Sequence, residues 1–166
     1  MEKTYKVSIV TLSDKCAKKE REDRSGKYLV EFFREKDWEI MNYIVIPDEY
    51  DLISNTLQDI CDKRNSDLII TTGGTGFSPR DITPEATKAV LEREAPGISE
   101  YLRAESQKKT PRAILSRGVS GIRKKTLIIN FPGSIKAVKE SIEIIFKPML
   151  HGIDILTSRD SECGGD

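Results

Sequence analysis

Four short apolar runs recur along the chain, and helical patterns fill the space between and beyond them. The runs are Tyr5–Leu12, Trp38–Ile46, Asp67–Thr72 and Thr126–Asn130. Leu29, Phe32 and Phe33 share one helical face, Ile53, Leu57 and Ile60 a second, and Ile135, Val138, Ile142 and Ile145 a third. Buried strands alternating with amphipathic helices imply a parallel sheet, because crossover helices cover both of its faces. The expected fold is therefore α/β, with a mostly parallel sheet.

Local signals mark the boundaries. Lys15–Arg24 is mostly charged and reads as a surface loop, with a helix from Ser25. Pro47 stops the second strand, and Asp48 can cap the next helix. Thr83-Pro84-Glu85 reads as a helix start with Thr83 as its cap, and Pro96-Gly97 as that helix's end. Another helix is expected over Ser99–Lys108. Pro111–Lys125 reads as a short helix and a glycine-containing loop, and Lys147–Leu156 as a last short helix. No repeat or linker divides the chain. The expectation is one domain over residues 1–156 and a flexible tail over 157–166.

Charge narrows the ligand. With 27 basic and 27 acidic side chains, no net field attracts nucleic acid or an anionic membrane surface. An anionic ligand would have to be held by local geometry. The apolar runs are too short to span a bilayer, and MEKTYKVSIVTL lacks a secretory pattern, so a cytoplasmic location is expected. Cys16, Cys61 and Cys163 are far apart and odd in number, as free thiols would be. His151 is the only histidine, which excludes a multi-histidine zinc site within one chain.

In a parallel α/β fold, ligands sit beyond the carboxyl ends of the strands. Here those ends are Thr11, Ser13 and Asp14; Pro47-Asp48-Glu49; Gly73-Gly74-Thr75-Gly76; and Asn130-Phe131-Pro132-Gly133-Ser134. A glycine turn lets backbone N–H groups approach a phosphate without Cβ atoms between. The link from Gly73 to Thr83 exceeds the usual strand-to-helix connection of roughly two to six residues. Asp48 and Asp81 would share its rim, and two carboxylates beside a phosphate suit Mg²⁺. Arg80, Arg117, Arg123 and Lys124 can balance phosphate charge.

TTGGTGFSPRDITPEAT (71–87), LSRGVSGIRKKTLIINFPGS (115–134), VSIVTLSD (7–14), DRSG (23–26) and IPDE (46–49) together resemble the MogA/MoaB family of molybdenum-cofactor biosynthesis proteins. PDE with PRDxTPEAT is most similar to the family's molybdopterin adenylyltransferases. The resemblance implies a three-layer α/β/α sandwich, assembled as a homotrimer. It also implies AMP transfer from MgATP to the terminal phosphate of molybdopterin, with release of pyrophosphate. A molybdenum-inserting transferase would then take the product. By matching motif, Asp48 and Asp81 resemble the essential aspartates. Gly73, Gly74, Thr75 and Gly76 match the substrate loop, Ser116 a molybdopterin-binding serine, and Asn130, Pro132 and Gly133 the turn near the nucleotide. Ser13, at the first strand's end, joins the substrate-binding set. Residues 15–22 and the SECGGD tail match nothing specific. The alternative is a carrier of the same family that binds molybdopterin without catalysis.

Overall fold

The computed structural model describes residues 4–63 and 66–159. In chain order the strands are β1 (Lys6–Leu12), β2 (Glu39–Ile46), β3 (Leu68–Thr72), β4 (Arg93–Glu94), β5 (Ser120–Arg123) and β6 (Thr126–Phe131). The α-helices are α1 (Asp14–Ala17), α2 (Arg24–Arg34), α3 (Tyr50–Asp62), α4 (Thr83–Lys88), α5 (Pro96–Ser106) and α6 (Ile135–Leu156). A 3₁₀ turn spans Pro111–Leu115. The strands form one sheet in the order β2-β1-β3-β6-β5-β4. The first four are parallel neighbours, while β5 and β4 pair antiparallel at one edge.

The sheet divides two cores by the period-two rule of strands. On one face Val7, Ile9, Leu68, Ile70, Leu127 and Ile129 meet Leu29 and Phe33 of α2, Leu102 of α5 and Val138, Ile142 and Ile145 of α6. On the other, Val10, Ile69 and Ile128 meet Ile53, Leu57 and Ile60 of α3 and Ala86 of α4. These are the three layers expected. Tyr5 stacks on Trp38 at 4.7 Å, and Phe33 lies 4.9 Å from the same indole, closing the first core at the amino ends of the strands.

Several local expectations are corrected. Six strands are present among the described residues, not four, because β4 and β5 are short and β5 carries glycine and arginine rather than an apolar run. Within Pro111–Lys125 the short helix is there, but the expected loop contains β5 at Ser120–Arg123. Pro96 begins α5 instead of ending α4, which already stops at Lys88; proline suits a helix's first turn because the N–H it lacks has no partner there anyway. The helix expected to restart at Lys147 is a continuation of α6. Pro148 lies on its exposed side, and buried Ile145 and Met149 carry the packing across it. Lys15, Cys16 and Ala17 of the charged Lys15–Arg24 stretch join Asp14 in α1, and Asp23 caps α2 by accepting from the Gly26 N–H at 2.9 Å. The C-terminal end is anchored as far as Arg159, whose guanidinium donates to Asp67 at 2.9 Å and lies over the Tyr5 ring. Residues 160–166, which include Cys163, lie outside the described residues. Among the described residues, no helix is long and apolar enough to cross a membrane.

Candidate functional site

Strand order reverses between β1 and β3, because β1 connects outward to β2 while β3 lies on its other side. At that reversal two crossover helices leave the sheet in opposite directions, so a crevice opens beyond the carboxyl ends of the two strands. The open cleft found there has a volume of about 540 Å³. Ser13, Asp48, Gly73, Gly74, Asp81 and Gly133 all line it. A second cleft of about 360 Å³ lies between α5 and α6, and Ser116, Asn130 and Pro132 face it. Ser134 belongs to both, so the Pro132-Gly133-Ser134 turn is the wall between them.

The expected split between substrate and nucleotide residues is therefore not the split between clefts. Gly133 sits with the aspartates, while Asn130 and Pro132 sit with Ser116. Asn130 is only 3% exposed. Its side-chain amide donates to Thr71 Oγ1 at 2.9 Å and Thr87 Oγ1 at 3.0 Å, and its carbonyl accepts from Val119 N–H at 3.1 Å. Thr75 and Gly76 lie beside the clefts, with their carbonyls turned to Arg117.

The glycine turn is as tight as its sequence promises. Gly73 and Gly74 have φ of +101° and +67°, a region that L-residues with side chains avoid. A Cβ on Gly73 would stand 2.3 Å from the Leu12 carbonyl oxygen, and one on Gly133 would stand 3.3 Å from the Gly73 Cα. Three strand ends thus converge with no side chain between them.

Asp48 does not cap α3. Glu49 holds that position and makes no side-chain cap bond. The Asp48 carboxylate instead accepts from the Asp14 N–H at 3.1 Å, while Asp14 accepts from the Asp48 N–H at 3.1 Å. This reciprocal pair ties the end of β1 to the end of β2. Burial raises the Asp48 carboxyl above its ordinary pKa, and the Asp14 and Asp81 charges push the same way. Its Oδ1 is buried without a partner. Thr83 likewise fails to cap α4, whose N-cap is Ile82; its N–H donates to Gly74 O at 3.1 Å.

The arginines have duties within the protein. Arg80 makes a two-pronged contact with Asp14, at 3.0 and 2.8 Å, and its hydrogen bonds hold the Asp14 carboxyl below its ordinary pKa. Arg117 donates to the carbonyls of Gly76 at 2.8 Å and Asp81 at 2.5 Å and pairs with Glu85. Arg123 and Lys124 pair with Asp62 at the opposite end of the sheet, away from the clefts. Asp81 Oδ2 accepts from the Ser78 N–H at 3.0 Å, closing a turn inside the long loop. Residues from the unmatched 15–22 stretch also reach the cleft: Cys16 lines it, and Arg21 donates to Ser13 Oγ at 3.2 Å. Their only sequence signal was position, immediately after a strand end.

The set suits a hard cation that also binds phosphate. Among the described residues no cluster of three or more His, Cys, Asp or Glu side chains can cage a metal. Mg²⁺ needs none, since it keeps waters and takes one or two carboxylates together with substrate phosphates. The unpartnered, charge-bearing oxygen of Asp48 is the observation that fits it.

The family described as a probable molybdopterin binding domain matches residues 8–152. The chain belongs to that family. A molybdopterin adenylyltransferase of Helicobacter pylori is 42% identical over 158 residues, covering 92% of this chain and 88% of that one. Cinnamon, a molybdenum cofactor synthesis protein of Drosophila melanogaster, is 43% identical over 89% of this chain, which spans 25% of that longer protein. Among solved structures, the molybdopterin biosynthesis enzyme MoaB of Thermus thermophilus superposes with a TM-score of 0.87 at 42% identity, covering 93% of this chain and 98% of that one. The likeness in fold and sequence extends over nearly the whole chain.

Arg117 gives a test of the loop. Its planar fork reaches carbonyls that a lysine's single ammonium cannot hold at once. Arg117→Lys is expected to cost about 1–2 kcal/mol of stability. Faster amide exchange over residues 76–81 should accompany it. Unchanged exchange there, measured by mass spectrometry, would show that the loop stands without the fork.

Proposed function

We propose that the chain is a molybdopterin adenylyltransferase, transferring AMP from ATP to the terminal phosphate of molybdopterin. One observation carries the reading: a cleft holding Asp48, Asp81 and the glycine turn shares a wall with the cleft holding Ser116. Two polyanions can lie side by side there with their phosphates meeting at the Pro132-Gly133-Ser134 turn. In this reading the wider cleft takes the nucleotide phosphates, and the Ser116 cleft takes molybdopterin.

In the reaction, a phosphate oxygen of molybdopterin attacks the α-phosphorus of ATP. The bond from that phosphorus to the bridging oxygen breaks, and pyrophosphate leaves. A phosphate monoester is already anionic near neutral pH, so no strong general base is required. The protein's work is positioning and charge placement. Backbone N–H groups of the Gly73-Gly74 turn can approach the phosphates closely because no Cβ intervenes. Asp48 and Asp81 are the residues that would hold Mg²⁺, which screens phosphate charge when bound. Ser13 and Ser116 offer hydroxyls to substrate, and Asn130 fixes the wall by its bonds to Thr71, Thr87 and Val119.

The same reading extends to the setting. The product passes to a molybdenum-inserting transferase, with the chain acting in the cytoplasm as a homotrimer. The presence of a matching domain beside further sequence in cinnamon, of which this chain spans a quarter, supports a functional partner. Phe77, 70% exposed, and Ile114, 62% exposed, offer apolar surface for assembly. Sedimentation should give three times the chain mass, and a monomer at working concentration would contradict the trimer.

Asp48→Asn and Asp81→Asn test the chemistry. Each keeps shape and removes one charge. Neutral Asn is a poorer Mg²⁺ ligand, and the loss falls mainly on the charged transition state. AMP transfer at saturating substrates should fall roughly a hundredfold or more, corresponding to a few kcal/mol. Molybdopterin binding without ATP should survive in the Asp48 variant. Because Asp48→Asn removes a poorly compensated buried charge, that variant's ligand-free unfolding temperature should not fall. Folded variants that turn over normally with unchanged magnesium dependence would remove both aspartates from the mechanism.

A further inference from the structure

Asp23-Arg24-Ser25-Gly26 opens α2 at the edge of the wider cleft, which Asp23, Arg24 and Ser25 line. Three of these four residues are locked in place by the fold. The Asp23 carboxylate, in a residue only 9% exposed, accepts from Thr11 Oγ1 at 2.7 Å, the Tyr43 hydroxyl at 2.6 Å and the Gly26 N–H at 2.9 Å. It thereby ties the start of α2 to β1 and β2. Ser25 Oγ donates to the Gly133 carbonyl at 2.8 Å, which joins α2 to the wall between the clefts. A Cβ on Gly26 would stand 2.2 Å from Asp23 Oδ2, so that position has no room for a side chain.

Arg24 is different. It is exposed, and among the described residues its guanidinium has no hydrogen-bond or ion-pair partner. Glu22, whose carboxyl feels the Arg24 charge, is paired with Lys27 at 2.7 Å. As the first residue of α2, Arg24 puts a positive charge at the positive end of the helix dipole, where an acid is the stabilising choice. The fold gains nothing from a cation there.

The cleft does. Glu22, Asp23, Asp48 and Asp81 line it, and the only lysines or arginines that line it among the described residues are Arg21 and Arg24. Arg21 donates to Ser13 Oγ at 3.2 Å. Arg80 is bound to Asp14, Arg117 to Glu85, and Arg123 and Lys124 to Asp62. A nucleotide triphosphate entering this acid-lined cleft therefore meets one arginine with no duty inside the protein. A guanidinium fork matches phosphate oxygens, and the anchors on either side of Arg24 fix where its side chain starts.

We propose that Arg24 is a phosphate-binding residue for the nucleotide, presented from the α2 side of the cleft by the bonds of Asp23 and Ser25. The proposal rests on the adenylyl-transfer reading for the identity of the phosphates.

The experiment compares Arg24→Gln and Arg24→Lys with the unmodified protein. Glutamine removes the charge, and lysine keeps it. Calorimetric titration in Mg²⁺ reads the affinity for α,β-methylene-ATP, which cannot release pyrophosphate, and separately for molybdopterin alone. Arg24→Gln should bind the analogue at least about tenfold more weakly, with Arg24→Lys within about threefold of the parent. Molybdopterin alone should bind both variants as it binds the parent. The unfolding temperature of Arg24→Gln should not fall, because an unfavourable charge at the helix start has been removed. Parental affinity for the analogue in Arg24→Gln would overturn the proposal. So would an equal loss of molybdopterin affinity or a lower unfolding temperature, either of which would mark Arg24 as structural. A parent that binds the analogue through Arg24 yet releases no pyrophosphate from ATP with molybdopterin would refute adenylyl transfer and leave the phosphate contact standing. A parent with no affinity for the analogue would refute the contact.

Discussion

At Gly73 the ends of β1, β3 and β6 approach more closely than a side chain allows. Its N–H donates to the Phe131 carbonyl at 3.2 Å, its missing Cβ leaves room for the Leu12 carbonyl, and Gly133 packs on its Cα. This contact sets the spacing of everything else at the rim. Because Gly73 is fixed, Gly74 turns under Asp48, and the chain then leaves the sheet into the long loop that carries Asp81. Because Gly133 abuts it, the wall between the two clefts stands directly over the strand ends.

Charge is arranged around this contact so that the loop is held before any ligand arrives. Arg80 clasps Asp14, and Arg117 gathers Gly76, Asp81 and Glu85. The reciprocal bonds between Asp14 and Asp48 bring the β2 end into the same frame. Prior ordering of this kind spares the ordering cost that the loop would otherwise incur when a substrate binds. Of the three buried side-chain polar atoms without a partner among the described residues, two, Asp48 Oδ1 and Thr83 Oγ1, lie at this rim. Stability is given up at that point, as is common where a protein binds and reacts.

Much of this was legible in the residues. The parallel core announced itself because β1, β3 and β6 are buried on both faces and read as nearly unbroken apolar runs. The rim followed from the polar residues at their ends. Asp48, Asp81, Gly73, Gly74 and Gly133 do meet in one cleft. What stayed hidden depended on tertiary contacts. β5 is stabilised by pairing to β6, and β4 by pairing to β5, rather than by their own composition. Thr83 and Asp48 both occupy positions that suit helix caps, yet neither caps, because the reversal of the chain at Gly74 fixes their environment instead. Arg117 read as a phosphate partner because its distance to the Gly76 and Asp81 carbonyls is set across 41 and 36 residues of chain.

The central claim is that two phosphate-bearing substrates react across the Gly133 wall. The most direct measurement is pyrophosphate release from MgATP by the unmodified protein, with and without molybdopterin. The account predicts release that requires molybdopterin and matches, mole for mole, the adenylylated molybdopterin formed. Tight molybdopterin binding with no pyrophosphate released would contradict it.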